Sequence, residues 1–227
     1  IVFASRFPAA AIQSVTSDAS GAFYVSGVAD FVHFFPSGGS METYERRAAF
    51  ITKLVCDGGQ RQLRIVYSTF FGRAAAVISK IKANSSGDVF ITGNVTRADL
   101  HKFPIVNALP HSPGGSGTVG FASKLAFNLS TSSLSLGFST ILEGTQGGKS
   151  LALDSAGGIF VAGQAGPGLP FVGTPLIASP GSGYVVKLVQ TGSGTLSLAF
   201  SSRLGGSRRD DVREVAIDQD GALLVCG

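Results

Sequence analysis

The chain has 227 residues, of which 44% are hydrophobic and 14% are charged, and it contains 31 glycines and 9 prolines. The charged share is well below the ~25% of an average soluble domain, so the composition favours many short strands joined by Gly and Pro turns over helices with a solvated face. The net charge of +4 includes no run of Lys or Arg longer than two, which argues against a nucleic-acid-binding surface.

A motif of 13 residues occurs four times along the chain. The copies are VTSDASGAFYVSG (15–27), IKANSSGDVFITG (81–93), LALDSAGGIFVAG (151–163) and VAIDQDGALLVCG (215–227). Their first glycines, Gly21, Gly87, Gly157 and Gly221, are 66, 70 and 64 residues apart. A nearly constant period indicates a repeat architecture.

Each copy predicts a strand, a tight turn and a second strand. An Asp or Asn stands three residues before the turn glycine every time, at Asp18, Asn84, Asp154 and Asp218. Such a side chain accepts a hydrogen bond from the backbone two residues later, and the glycine takes the positive φ that closes the hairpin. A ring of carboxylates for a metal ion is the alternative, and Asn84 interrupts it.

Two more motifs complete the repeat. One reads FITKLV (50–55), FASKLA (121–126) and YVVKLV (184–189), and the other reads VFAS (2–5), VYST (66–69), GFST (137–140) and AFSS (199–202). Each unit of about 66 residues therefore holds four strands. Runs such as 23–25 and 159–161 are apolar throughout, as expected for strands buried on both faces. Sheets packed between neighbouring sheets have this property, so the fold class is all-β, with the sheets as the four-stranded antiparallel blades of a β-propeller.

At these motifs the chain resembles the SBBP (beta-propeller) repeat family of bacterial proteins. That family's units contain a strand like "YSTYLGG", a hairpin like "AVDSSGNIYVTG", an "FP" loop and a strand like "FVAKL". The corresponding segments here are FSSRLGG (200–206), LALDSAGGIFVAG (151–163), the FP pairs at 35–36 and 103–104, and the KL pairs at 53–54, 124–125 and 187–188. The resemblance implies a secreted or cell-surface protein whose repeats have no general catalytic activity.

Related propellers place the strand before the Asx-Gly turn nearest the central channel, and we label the strands a, b, c and d from channel to rim. The predicted units are a lone outer strand (1–9), three blades (10–72, 73–143 and 144–205) and half of a fourth blade (206–227). The second half of that blade is missing, so we expect an arc of a larger ring whose remaining blades belong to a longer chain. A closed four-bladed ring is the alternative.

Residues 155–186 carry no charge, but eight glycines and four prolines interrupt them, so no membrane insertion is predicted. Cys56 and Cys226 lie in or beside apolar strands, and two cysteines cannot form a disulfide framework. We interpret them as two buried free thiols.

Antiparallel order puts the b–c and d–a loops on one face. The b–c loops are long (28–49, 94–120 and 164–183), and long loops on a rigid scaffold commonly carry function. We therefore predict the binding face there, with the candidate residues His33, Arg46, Arg47, Arg97, His101, Lys149, Arg208, Arg209, Asp210 and Asp211.

Metal binding is the alternative interpretation for the histidines of these loops. His33 and His101 each stand three residues before a proline, with Asp30 and Asp99 just upstream. The third blade has neither residue, so we interpret the histidines as solvated and predict no metal and no cofactor.

Lys53, Lys124 and Lys187 occupy equivalent positions inside apolar strands. A buried charge needs a partner, so we expect each lysine to reach the blade edge or to pair with a carboxylate or carbonyl. A ring of positive charge for an anionic ligand is the alternative.

The function predicted first is a non-catalytic extracellular scaffold that binds a protein or carbohydrate through the long loops. A propeller enzyme, such as a lyase or glycoside hydrolase with its site at the channel mouth, is the second hypothesis. It requires His33, His101, Arg208 and Asp210 to converge. A structural spacer in a large surface protein is the third hypothesis.

Overall fold

The structure is a computed structural model. It describes residues 10–30, 47–57, 62–72, 75–112, 116–128, 130, 133–174, 181–192, 194–206 and 210–227. The lone outer strand predicted at the start of the chain lies outside the described residues.

The described residues form three four-stranded sheets and one two-stranded sheet, and the strands of each sheet are paired antiparallel in chain order. The first sheet consists of β1 (Ala10–Ser17), β2 (Phe23–Asp30), β3 (Arg47–Asp57) and β4 (Gln62–Phe70). The second consists of β5 (Val77–Ala83), β6 (Val89–Thr96), β7 (Thr118–Asn128) and β8 (Ser133–Leu142). The third consists of β9 (Thr145–Leu153), β10 (Ile159–Ala165), β11 (Gly183–Gln190) and β12 (Leu196–Leu204). The fourth holds β13 (Glu214–Ile217) and β14 (Leu223–Cys226).

The turn between the first two strands of every sheet has the same chemistry. In the first sheet, the Asp18 carboxylate accepts hydrogen bonds from the backbone N–H groups of Ser20 (2.9 Å) and Ala22 (3.1 Å). Asn84, Asp154 and Asp218 accept the equivalent pairs of bonds. The four turn glycines have φ angles of 79° to 84°, a region in which a residue without Cβ is not strained.

Several strands are longer than the motifs that predict them. The second strand of the first sheet continues past Ser26 to Asp30, because residues 28–30 pair with residues 47–49 of β3. The loop between these strands is correspondingly shorter than predicted. In the second sheet, the same loop contains a 3₁₀ helix, Arg97–Lys102.

The sheets pack face to face through buried side chains that both neighbours contribute. Tyr24 of the first sheet and Ile81 of the second belong to one buried cluster, and Phe138 of the second sheet and Tyr184 of the third belong to the next. A further cluster joins the third and fourth sheets and contains Val215. Apolar side chains on both faces of a strand are therefore explained by a neighbour on each side.

The first strands of successive sheets lie side by side. Strand β1 contacts β5, β5 contacts β9, and β9 contacts β13. The Lys80 ammonium in the second sheet even reaches Glu214 in the fourth, so these strands line a common axis. The prediction of four-stranded propeller blades with the first strand innermost is confirmed, and the described sheets form an arc of a β-propeller.

The interpretation of the two cysteines as buried is wrong. Cys56 and Cys226 are both free thiols, but both are exposed. Cys56 is the penultimate residue of β3, where the strand extends beyond the packed part of the sheet, and Cys226 ends a strand with no third strand paired to it among the described residues. No helix in the described part of the chain is long and apolar enough to cross a membrane.

Candidate functional site

The face that carries the b–c and d–a loops contains a cleft between the second and third sheets. Its volume is about 460 Å³. Its walls come from the b–c loops of both sheets and from the link between β8 and β9, and the lining residues are Arg97, Ser116, Gly117, Thr118, Gly144, Thr145, Gln146, Gly166 and Pro167. This loop cleft presents hydroxyl, amide and backbone groups with one guanidinium.

One side of the loop cleft is fixed by a bidentate ion pair. The Arg97 guanidinium at the start of the 3₁₀ helix lies 2.6 Å and 3.4 Å from the two carboxylate oxygens of Glu143. The Ser112 backbone N–H donates to the same carboxylate at 2.7 Å. Burial alone would raise the pKa of Glu143, but these donors and the positive charge of Arg97 lower the pKa below its ordinary value. Glu143 therefore anchors Arg97 through a charged pair that the Ser112 N–H supports.

The floor of the loop cleft is held by a buried threonine. The Thr145 hydroxyl donates to the Leu142 carbonyl at 2.7 Å and accepts the Gly120 N–H at 3.0 Å. Beside it, Gly144 has a φ of 70°, and a Cβ there would lie 2.0 Å from the Leu169 nitrogen. Backbone and side-chain bonds thus fix the shape of the loop cleft before any ligand binds.

The structure separates the residues that the sequence assigned to one binding face. Arg97 lines the loop cleft, whereas His101 is exposed on the 3₁₀ helix, with Nδ1 3.0 Å from the Ala98 carbonyl oxygen. Lys149 and Asp211 lie together at the boundary of the third and fourth sheets.

Asp210 also lies at that boundary and accepts the Gly206 N–H at 2.9 Å. Only the backbone of Arg47 is described, and it pairs with Asp30 at the start of β3. His33, Arg46, Arg208 and Arg209 lie outside the described residues, so the convergence that the enzyme hypothesis requires stays a prediction.

A second cleft, of about 420 Å³, lies where the third and fourth sheets meet. Asp210, Asp211 and Arg213 line it, together with the end of β14. One carboxylate oxygen of Asp211 pairs with the Lys149 ammonium, and the other is buried with no hydrogen-bond partner among the described residues. The described residues contain no group of three or more His, Cys, Asp or Glu side chains that could hold a metal ion.

Four equivalent positions on the innermost strands form a polar row that the motifs did not reveal. Each position lies seven residues before a turn glycine. We call the four residues the inner polar row: Ser14, Lys80, Ser150 and Glu214. Lys80 Nζ is 2.8 Å from each Glu214 carboxylate oxygen, and the Ser150 hydroxyl donates to Glu214 at 2.9 Å. The constant spacing was visible in the sequence, but the four residues share no chemistry that would have drawn attention to them.

Glu214 makes the inner polar row sensitive to acid. Partial burial would raise its pKa, but hydrogen bonds from Lys80 and Ser150 and the charges of Lys80 and Lys82 lower the pKa below the ordinary value of about 4.3. The stability that comes from ionised Glu214 is therefore present above about pH 4.3 and is lost as the pH falls through the lower pKa of the folded state.

We expect Glu214→Gln to reduce the free energy of unfolding at pH 7 by up to about 1 kcal/mol and to weaken its dependence on pH below about 4.3. Urea unfolding between pH 3 and pH 7 measures both effects. The exposed carboxylate of Asp220 has no ion pair among the described contacts, so Asp220→Asn serves as the control. An acid dependence as steep in Glu214→Gln as in the wild type would contradict the assignment.

The repeated lysines lie on the opposite face, beside the Asx-Gly turns. Each ammonium lies 2.8–3.4 Å from a carboxylate of its own sheet and over an aromatic ring: Lys53 with Asp18 and Tyr24, Lys124 with Asp88 and Phe90, and Lys187 with Asp154 and Phe160. In the second sheet Asp88 supplies the carboxylate that Asn84 lacks. The lysines have the paired arrangement that we expected, so they do not form an open ring of positive charge.

No family model matches the sequence, and no curated protein matches it. Membership of the SBBP repeat family therefore stays a prediction.

The solved structures that are similar to this chain include two proteins of provisionally assigned function. One is a protein provisionally assigned as a gluconolactonase, with a TM-score of 0.44 and 10% identity over 92% of this chain. The other, from Bacteroides fragilis NCTC 9343, is provisionally assigned as a 6-phosphogluconolactonase, with a TM-score of 0.30 and 11% identity over 94% of this chain and 76% of its own length. This chain spans 55% of the first protein's length.

Proposed function

We propose that this chain is a non-catalytic part of an extracellular β-propeller and that its loop cleft binds a glycan. The loop cleft between the second and third sheets carries this proposal, because its walls are fixed and polar. Hydroxyl, amide and backbone groups in a preformed cleft suit the hydroxyl groups of a sugar, because binding then costs little ordering of the protein.

The electrostatics support a binding role over an acid–base role. A glycoside hydrolase needs a carboxylic acid whose pKa is raised so that it holds a proton near neutral pH. The pKa of Glu143, the acidic group beside the loop cleft, is lowered by Arg97 and by the Ser112 backbone. Glu143 therefore suits the task of holding Arg97 in position better than that of a proton donor.

A glycan array probed with the labelled chain tests the proposal, and titration calorimetry with each bound oligosaccharide measures its affinity. We expect Ser116→Arg, which places a long side chain in the loop cleft, to weaken binding at least tenfold, or about 1.4 kcal/mol. Ser197→Arg is the matched control, because Ser197 is exposed on β12 outside the loop cleft, and it is expected to bind like the wild type.

Three outcomes would overturn parts of this proposal. Equal loss of affinity in both arginine variants would place the glycan elsewhere. Binding of no glycan would leave a protein ligand as the better hypothesis for the face. Release of shortened or unsaturated oligosaccharides from a bound glycan would show a hydrolase or lyase and would contradict the non-catalytic assignment.

A further inference from the structure

Beside the loop cleft, the Arg97 guanidinium and the Ser112 backbone N–H form an anion site that the chain fills with its own carboxylate. Arg97 donates to both oxygens of Glu143, at 2.6 Å and 3.4 Å, and the Ser112 N–H donates to the same carboxylate at 2.7 Å. A bidentate guanidinium with an added backbone N–H is an arrangement that proteins use to bind the carboxylate, sulfate or phosphate group of a ligand. In this chain the bound group is part of the protein.

The surroundings of the anion site favour a negative charge. The side chains of Arg97 and Glu143 are only 16% and 24% exposed, so solvent and salt screen their attraction weakly. Burial would raise the pKa of Glu143, but the bonds from Arg97 and Ser112 and the charges of Arg97 and His111 lower it. The same surroundings would favour the negative group of a ligand if Glu143 were absent.

Neither charged residue of this pair belongs to the repeat. Arg97 stands ten residues after its turn glycine, and the strand pairing aligns Glu143 with one residue of each neighbouring four-stranded sheet. The residues at the equivalent positions of the first and third units are all uncharged: Phe31 and Pro167 for Arg97, and Gly72 and Gly205 for Glu143. The other blades are built without such a pair, so the pair is a feature of the loop cleft and not of the blade fold.

The pair leaves the loop cleft without a net charge. Arg97 is the one charged residue among the described residues that line the cleft, and the Glu143 carboxylate cancels its charge. The negative group of a ligand would have to displace Glu143, which is tethered beside the anion site and therefore competes at a high effective concentration. The displaced carboxylate would also repel that group. A neutral sugar needs only the hydroxyl, amide and backbone groups of the cleft and meets neither obstacle.

We propose that Glu143 determines the specificity of the loop cleft: by filling the anion site it excludes glycans that carry a carboxylate or sulfate group and leaves the cleft to neutral glycans. The inference rests on the proposed function and names the class of glycan that the cleft takes. Glu143 acts through Arg97, so it is a positioning residue. Selectivity that comes from a group opposed to the wrong ligand is a common device in recognition.

Sulfate binding tests the anion site without any glycan. Glu143→Ala removes the internal carboxylate, and we expect it to bind sulfate about tenfold or more tighter than the wild type in titration calorimetry at constant ionic strength. Asp220→Asn is the matched control, because it removes one exposed negative charge outside the loop cleft and is expected to bind sulfate like the wild type. The double variant Arg97→Ala/Glu143→Ala lacks the guanidinium as well and is expected to lose the gained affinity.

A glycan array tests the specificity. We expect the wild type to bind neutral oligosaccharides and to bind matched oligosaccharides with a uronic acid or a sulfate group about tenfold or more weakly. Glu143→Ala is expected to bind the acidic glycans at least as well as the neutral ones. Circular dichroism checks that this variant is folded, and Glu143→Gly, which gives the link the glycine of the first and third sheets, replaces it if it is not.

The outcomes separate this inference from the proposed function. A wild type that binds acidic glycans as tightly as neutral ones would overturn the inference and leave glycan binding intact. No gain of sulfate affinity in Glu143→Ala would also overturn it. A wild type that binds no glycan would overturn the proposed function and the specificity together, whereas a gain of sulfate affinity in Glu143→Ala would still support the anion site.

Discussion

Replacing Gly93 with alanine is expected to lower the free energy of unfolding by about 3 kcal/mol or more. A Cβ at Gly93 would lie 1.8 Å from the Val77 carbonyl oxygen, a backbone atom that can move only if the strand moves. The pairing of β5 with β6 has a register shift between Ile78 and Lys80, and this bulge brings the β5 backbone against Gly93. The alanine variant must therefore separate the two innermost strands of its sheet, and urea unfolding followed by circular dichroism measures the cost.

The same close approach is built into every sheet, which makes the Gly93 prediction specific. A Cβ would lie 2.1–2.4 Å from a backbone carbonyl oxygen at each equivalent glycine: from an oxygen of the first strand at Gly27 and Gly163, and from the Asp211 oxygen just before that strand at Gly227. Gly192 provides the matched control, because a Cβ there has no heavy atom within 4 Å. We expect Gly192→Ala to change stability by less than about 0.5 kcal/mol. Similar losses in both variants would mean that the bulge does not press on Gly93.

The sheets could be predicted from the sequence because the chemistry that specifies them is local. An Asx residue three positions before a glycine closes a hairpin through bonds to residues two and four positions later, as at Asp18. Four copies of that turn at a near-constant period define the units without any knowledge of tertiary contacts. The glycine that ends the motif is also visible in the sequence. The reason that only glycine fits there is the bulge in the neighbouring strand, which the sequence does not show.

The candidate site could not be predicted in the same way, because its parts come from distant segments of the chain. Arg97 and Glu143 are 46 residues apart, and neither belongs to a repeated motif. The inner polar row has the opposite character, since its spacing is regular while its residues differ. Lys80 pairs with the carboxylate of Glu214, which lies two sheets away, and no local sequence pattern predicts that these two residues meet.

Asp154→Ala is expected to cost about 2–3 kcal/mol, because one carboxylate holds both a turn and an ion pair. One oxygen accepts the backbone N–H groups of Ala156 (3.0 Å) and Gly158 (2.6 Å). The other lies 2.8 Å from the Lys187 ammonium, which also lies over the Phe160 ring. Alanine leaves a partly buried N–H without its acceptor and a partly buried ammonium without its counter-charge, so thermal and urea unfolding should both register the loss.

Asp154→Asn separates the two roles, since the amide oxygen still accepts the turn bonds but carries no charge. We expect it to cost about 1 kcal/mol at pH 7, close to the worth of a single partly exposed ion pair. Burial would raise the pKa of Asp154, but the hydrogen bond from Lys187 and the turn N–H groups lower it. The advantage of the wild type over Asp154→Asn is therefore present above about pH 3.9 and shrinks as the pH falls through the lower folded pKa.

Asp218→Asn is the matched control for this separation. Asp218 accepts the same pair of turn bonds, from Asp220 (3.0 Å) and Ala222 (2.7 Å), but no lysine pairs with it among the described residues. We expect that variant to change stability by less than about 0.5 kcal/mol at any pH. The second sheet already has this division, with Asn84 in the turn and Asp88 on the lysine. An equal cost for Asp154→Asn and Asp218→Asn would show that the repeated lysines contribute nothing to the stability of the blades.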